Sequence, residues 1–168
     1  MIINGSQSQS LGGLHAKEAD HGRCRINPKL YDLRREAEIR KARNWWAANF
    51  WPENADDFMK IALAAGTQEN NWLRQVPGYW ELAASLVVHG TLNETLFLEP
   101  AFSGEMFLIF AKIHPFLKEV REKMQNPRML ANVENVIKKS KAGRERLKFV
   151  EQRMAARRKQ MKEGAGRV

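Results

Sequence analysis

Cysteine is nearly absent from this chain. Cys24 is the single one in 168 residues, which excludes an internal disulfide framework and any multi-cysteine zinc site. Long apolar runs are missing too. None approaches the roughly 18 residues of a membrane span, and the polar N-terminus has no signal-peptide core. A soluble, cytoplasmic chain is the expectation. There is no G-x-x-x-x-G-K, G-x-G-x-x-G, G-x-S-x-G or H-E-x-x-H pattern, so phosphate-cradling loops, nucleophile elbows and zinc helices are not indicated. His15 and His21 lie near Cys24, but a flexible stretch of that spacing is not a preformed metal site. No metal and no cofactor are expected, and the balance leans away from an enzyme without deciding it.

The residues that are present describe one globular domain. Hydrophobic residues make up 43% and charged residues 28%, an ordinary folded composition at a length that suits a single core. The formal charge of +9 is uneven. Residues 51–100 carry two bases against seven acids, whereas residues 127–168 carry thirteen bases against four. A basic end beside an acidic middle points to self-docking or to an anionic partner.

Residues 1–27 read as a disordered N-terminal tail, since Asn4 to Gly13 is a Gly/Ser/Gln tract without period. An all-helical domain over 28–150 follows. Pro28 suits a first helical turn, and Leu30, Leu33, Ala37, Trp45, Trp46 and Phe50 recur at helical spacing until Trp51-Pro52 ends the helix. Asn54 caps a short helix that stops at Gly66. Thr67 opens the next, which stops at Gly90. Pro77-Gly78 is expected to kink or split that second helix. Thr91 with Glu94 has capping-box spacing for a turn through Leu98. Ser103 then opens the clearest helix, with Met106, Phe110, Ile113, Leu117, Val120 and Met124 in alternating steps of four and three. Pro115 bends it after Ile113. Asn126-Pro127 begins another helix, and Ser140 and Gly143 separate it from a basic C-terminal one that frays after Ala155, leaving 151–168 as a basic tail. The fold class is therefore all-α: a compact bundle of five to seven helices, two of them proline-kinked, with a basic C-terminal helix.

Two groups of residues could carry function. Lys138, Lys139, Lys141, Arg144, Arg146, Lys148, Arg153, Arg157 and Arg158 place cations on nearly every exposed position of the basic end, an arrangement able to track phosphates or an acidic protein face. Phe149 is the only aromatic among them, so base stacking is not indicated. The second group is aromatic. Trp45, Trp46, Trp51, Trp72 and Trp80 fall within 36 residues. They build either a core or a groove, and adjacent Trp45 and Trp46, about 100° apart on a helix, cannot share one seam. Around Trp45, Trp46, Trp72 and Trp80, the polar groups of a pocket would be Glu81, His89 and Glu105.

The block Asn44-Trp45-Trp46 through Phe50-Trp51-Pro52, with Gly78-Tyr79-Trp80-Glu81-Leu82 through His89-Gly90 and Gly104-Glu105-Met106-Phe107, is similar to small uncharacterised bacterial helical proteins of the domain-of-unknown-function kind. The resemblance covers roughly residues 30–150. It implies an all-helical, non-enzymatic domain and transfers no site residues. Some chains of that kind carry a membrane helix ahead of the domain.

Three functional readings follow. The first is a non-enzymatic binding or adaptor protein whose basic C-terminal helix meets nucleic acid or an acidic protein surface. The second is a Trp-lined pocket for a small apolar ligand or modest acid–base chemistry. The third is a structural homo-oligomer joined through the 106–124 helix face.

Overall fold

The structure is a computed structural model that describes residues 29–165. The expected tail over 1–27 lies outside the described residues. Among the described residues there is no strand and no helix long and apolar enough to cross a membrane. Residues 29–35 form α1, followed by α2 (Ala37–Ala48), α3 (Ala55–Ala62), α4 (Gln68–Val88), α5 (Glu94–Phe97), α6 (Pro100–Ile113), α7 (Leu117–Lys123), α8 (Ala131–Lys139) and α9 (Lys141–Ala165). A 3₁₀ turn, His114–Phe116, joins α6 to α7. The count exceeds the expected five to seven because two stretches break.

The first break is at Glu36, whose φ −55°, ψ 144° ends α1. Arg40 and Arg43 of α2 donate to the freed carbonyls of Arg35 (2.8 Å) and Arg34 (3.2 Å). The bend lets Leu30 enter the core and its carbonyl accept from the Tyr79 hydroxyl at 2.9 Å. The second break is at Pro115, where the chain tightens after Ile113 as the missing N–H requires. Pro77 does not split α4, which runs unbroken over 21 residues.

Several caps are local and as expected. Asn54 accepts from Asp57 N and Thr67 from Asn70 N, while Gly66 and Gly90 take the left-handed φ of +84° and +74° that suits glycine after a helix. Others differ. Asn93, not Thr91, caps α5 by accepting from Leu96 N. Pro100 opens α6, leaving Ser103 buried within it. The helix expected from Asn126-Pro127 begins at Ala131, after Leu130 adopts φ +55° and puts its side chain in the core. Beyond Ala155, α9 continues as helix; Arg158 donates to Pro52 O at 2.7 Å and Lys162 pairs with Glu53 at 2.9 Å.

α4 forms the spine, with α2 and α8 packed along it, and α9 lies over α6 and α8. The core is aromatic and large: Trp46, Phe58, Trp80, Phe97, Phe107 and Phe110 are almost fully buried. The face expected to join subunits is used inside the chain, because Met106, Phe110, Ile113, Leu117 and Val120 are all buried in this core. Met124 alone of that series is exposed. The turn from α8 to α9 is tight: Ser140 Oγ accepts from Gly143 N at 2.9 Å, and a Cβ on Gly143 would stand 2.3 Å from the Ile137 carbonyl oxygen. Gly143→Ala is therefore expected to lower stability by about 1–3 kcal/mol, read as a lower urea midpoint; an unchanged midpoint would show that this turn relaxes freely.

Candidate functional site

The seven residues of the expected Trp-lined pocket do not surround one cavity. Trp45 stacks on Phe50 with centroids 4.7 Å apart, Trp46 meets Phe50 edge-on at 4.8 Å, and Trp46 Nε1 donates to Trp72 O at 3.0 Å. Trp80 belongs to a separate group with Tyr79 and Phe97. Both acids are fully engaged. Glu105 accepts from Arg43 Nε at 2.7 Å and from Trp80 Nε1 at 3.2 Å, with Arg34 Nη2 at 3.6 Å and the Arg34 guanidinium also 4.9 Å above the Trp80 ring. Glu81 caps α8, accepting from Asn132 N (2.9 Å), Asn132 Nδ2 (2.8 Å) and Val133 N (3.2 Å). His89 is exposed at the end of α4, its Nδ1 2.8 Å from Ser85 O. Carboxylates held this way anchor helices, and the pocket reading finds no free acid here.

The basic residues divide into those that hold the fold and those that do not. Arg144 Nη1 donates to the carbonyls of Lys138 and Lys139 at the end of α8. Arg146 donates to Leu98 O and, at 3.1 Å, to Pro100 O, tying α9 to the start of α6. Arg158 holds Pro52. Lys138 pairs with Glu134 at 2.6 Å and Lys141 with Glu145 at 3.8 Å. Lys139, Lys148, Arg153 and Arg157 are exposed and have no carboxylate within ion-pair distance among the described residues.

Arg153 and Arg157, one turn apart, border a cleft of about 710 Å³ between the end of α2, α6 and α9, with Trp51, Leu108, Val150 and Met154 on its walls. That volume falls within the range of natural ligand pockets. A second hollow of about 620 Å³ shares Gly104, Val150 and Arg153 with it and extends toward Phe149 and Ala142. The two form one trough along the α6–α9 seam.

Behind Trp51 lies Lys112, fully buried and without a carboxylate partner among the described residues. Its ammonium donates to the carbonyls of Trp46 and Phe50, the latter at 2.8 Å, and sits 3.8 Å over the Trp51 ring. The Trp46 carbonyl is among those left without an intrahelical partner at the end of α2, the Phe50 carbonyl lies just beyond the cap, and a cation there also meets the negative end of the helix dipole. Burial, with Arg158 and Arg157 nearby, pushes this lysine down to about 7. Sequence reasoning missed Lys112, and it used Trp51 only as a helix end and as one of five clustered tryptophans. The available signal was the run from Met106 to Ile113, apolar on every side except for one lysine. Among the described residues, no group of three or more His, Cys, Asp or Glu could hold a metal ion.

The sequence model of a family described as "Domain of unknown function (DUF4760)" matches residues 26–140. The match ends where α9 is about to begin, so α1–α8 fall within it and one wall of the trough does not. No curated protein and no solved structure matches the chain.

Two outcomes test this reading of the polar groups. Glu105→Gln is expected to cost about 2–3 kcal/mol, less than a fully buried pair because the carboxylate keeps 15% exposure; equal urea midpoints for variant and parent would remove Glu105 as an anchor. Lys112 should also make stability pH-dependent. The unfolded lysine titrates near 10.5 and the folded one near 7, so between those values the unfolded chain binds more protons. Stability then rises with pH by up to about 1.4 kcal/mol per unit, and this contribution is lost as pH falls toward 7. Denaturation at pH 7, 8 and 9 should show that slope in the parent and a flatter one in Lys112→Met. Parallel slopes would mean that Lys112 stays charged throughout.

Proposed function

We propose that this chain, which belongs to the DUF4760 family, is a non-enzymatic helical binding protein whose basic C-terminal helix, with the end of α8, meets an anionic partner, nucleic acid or an acidic protein surface. The observation that carries the reading is the set of four exposed cations, Lys139, Lys148, Arg153 and Arg157, left without carboxylates among the described residues. Cations that held the fold alone would be expected to lie against carbonyls or acids, as Arg144, Arg146 and Arg158 do. These four instead add to a net basic C-terminal quarter that attracts anions at long range.

The acidic middle of the chain does not cancel this charge. Among the described residues, the ion pairs that cross to residues 51–60 come from Lys123, which meets Asp56, and Lys162, which meets Glu53. A phosphate backbone would bind here by charge alone, with an affinity that falls linearly in logarithmic salt.

The test is fluorescence anisotropy of a labelled single-stranded RNA, a duplex DNA and polyglutamate against the full chain over a range of salt. Deleting α9 is not a clean control, because Leu147 and Met154 are part of the core. The fourfold variant of Lys139, Lys148, Arg153 and Arg157 to Gln is the better comparison. At least one polyanion is expected to bind with a salt slope of several charges, and the variant should lose roughly 0.7 of slope per phosphate contact removed on single strands. Binding of the variant equal to the parent, or no binding of any polyanion at low salt, would overturn the proposal.

A further inference from the structure

The trough itself says more about the partner than its charge does. Its floor is aliphatic rather than flat and aromatic: Leu108, Val150 and Met154 lie under it, with alanines 47, 48 and 156 at its edges. The Trp51 ring already has the Lys112 ammonium against it, and the Phe149 ring has the Arg153 guanidinium 5.7 Å from its centroid. Nucleic acid has no aliphatic side chains to fill such a floor, and the base-stacking surfaces that single-strand binders use are not the main feature here. A protein segment can supply both apolar anchors and carboxylates.

The shape fits a helix. From Ala142 to Gln160 the trough follows α9 for about 27 Å, the length of some 18 helical residues. On the opposite wall Pro100, Gly104 and Leu108 follow one another at intervals of four along α6, a straight stripe. Gly104 adds no side chain to that wall, and the nearest atom to a Cβ placed there is Arg146 Nη2 at 3.3 Å, part of the guanidinium that reaches across to Pro100 O.

Resting on the reading of α9 as an anion-binding face, we infer that the α6–α9 trough receives a short amphipathic helix of an acidic partner protein. Leucine-like anchors at i, i+4 and i+7 enter over Leu108 and Val150, and flanking carboxylates face Arg153 and Arg157. This is the helix-in-groove mode of recognition, in which apolar burial supplies affinity and the charged rim sets orientation.

The experiment uses the full chain and a fluorescein-labelled 18-residue peptide with leucines at helical spacing and glutamates beside them. A scrambled peptide of the same composition and charge is the control. The patterned peptide is expected to bind at least tenfold more tightly than the scramble. Ala156→Trp, at an exposed position on the trough wall, should weaken the patterned peptide at least tenfold while RNA or polyglutamate binding stays within twofold. Ala48→Trp, exposed on the other wall, fills the trough from that side and should act in the same way, with circular dichroism confirming that both variants keep their helix content. Arg153→Glu with Arg157→Glu should weaken peptide and polyanion together.

Equal binding of patterned and scrambled peptides, with polyanion binding intact, would overturn the helix-in-groove inference and leave the anion-binding face standing. Patterned binding untouched by both filling variants would place the peptide elsewhere and overturn it as well. RNA bound tightly and weakened by the filling variants would make nucleic acid the occupant of the trough. Failure of every anionic probe would remove the underlying reading along with the inference.

Discussion

The carboxylate of Glu105 receives Arg43 from α2 and Trp80 from α4 while Arg34 of α1 closes on it from another side. Four helices thus meet at one charged group, and the meeting fixes something that apolar packing leaves open. Around it α6 is buried on almost every side, at Met106, Phe107, Ile109, Phe110, Ala111 and Ile113. A helix that is hydrophobic all round has no amphipathic face to set its rotation. A partly buried acid with three defined partners does set it, since any other rotation would leave those donors unpaired. With Glu105 held, Gly104, Leu108 and Lys112 fall along the neighbouring side of α6. The α6 side of the trough and the burial of Lys112 therefore follow from the same constraint.

Lys112 is the second consequence of that rotation. A lysine in an apolar helix normally reaches for water, but here its stem runs to the frayed end of α2, where carbonyls and the Trp51 ring take the place of solvent. The sequence around Trp51-Pro52 requires α2 to stop, because the residue before proline leaves the helical region. The stop exposes carbonyls, and the lysine satisfies them. Helix termination at one site and an otherwise costly buried amine at another are thus solved by one contact.

What could be read in advance was whatever depends on neighbours in sequence. The caps at Asn54 and Thr67, the glycine stops at Gly66 and Gly90, the bend after Ile113 and the buried stripe from Met106 to Val120 all arise within a few residues of one another. The break at Glu36 was not legible, because its cause is distant: α1 turns so that Arg34 reaches Phe102 O at 2.9 Å and Glu105. Leu130 likewise takes a left-handed backbone to reach the core, against its own preference. For the candidate site, the basic residues of the C-terminal helix were visible as a group but not as two kinds. Whether an arginine caps a carbonyl 46 residues away, as Arg146 does at Pro100, depends on tertiary placement and leaves no local pattern.

That division among the cations bears on how a partner could be recognised. Arginines 144 and 146 tie α9 to the end of α8 and the start of α6, and Arg158 ties it to the loop after α2, so the helix that carries most of the free charges is anchored along its length beside α6. Fixed geometry matters more for an apolar trough than for a phosphate surface. Diffuse attraction of polyanions tolerates a mobile helix, whereas filling a groove demands that its two walls keep their spacing, because ordering them on binding would subtract from affinity. One wall, α6, lies within the DUF4760 match and the other, α9, lies beyond it. The trough is thus assembled from the matched helical body and a segment outside the matched region, and the carbonyl-capping arginines join its two walls.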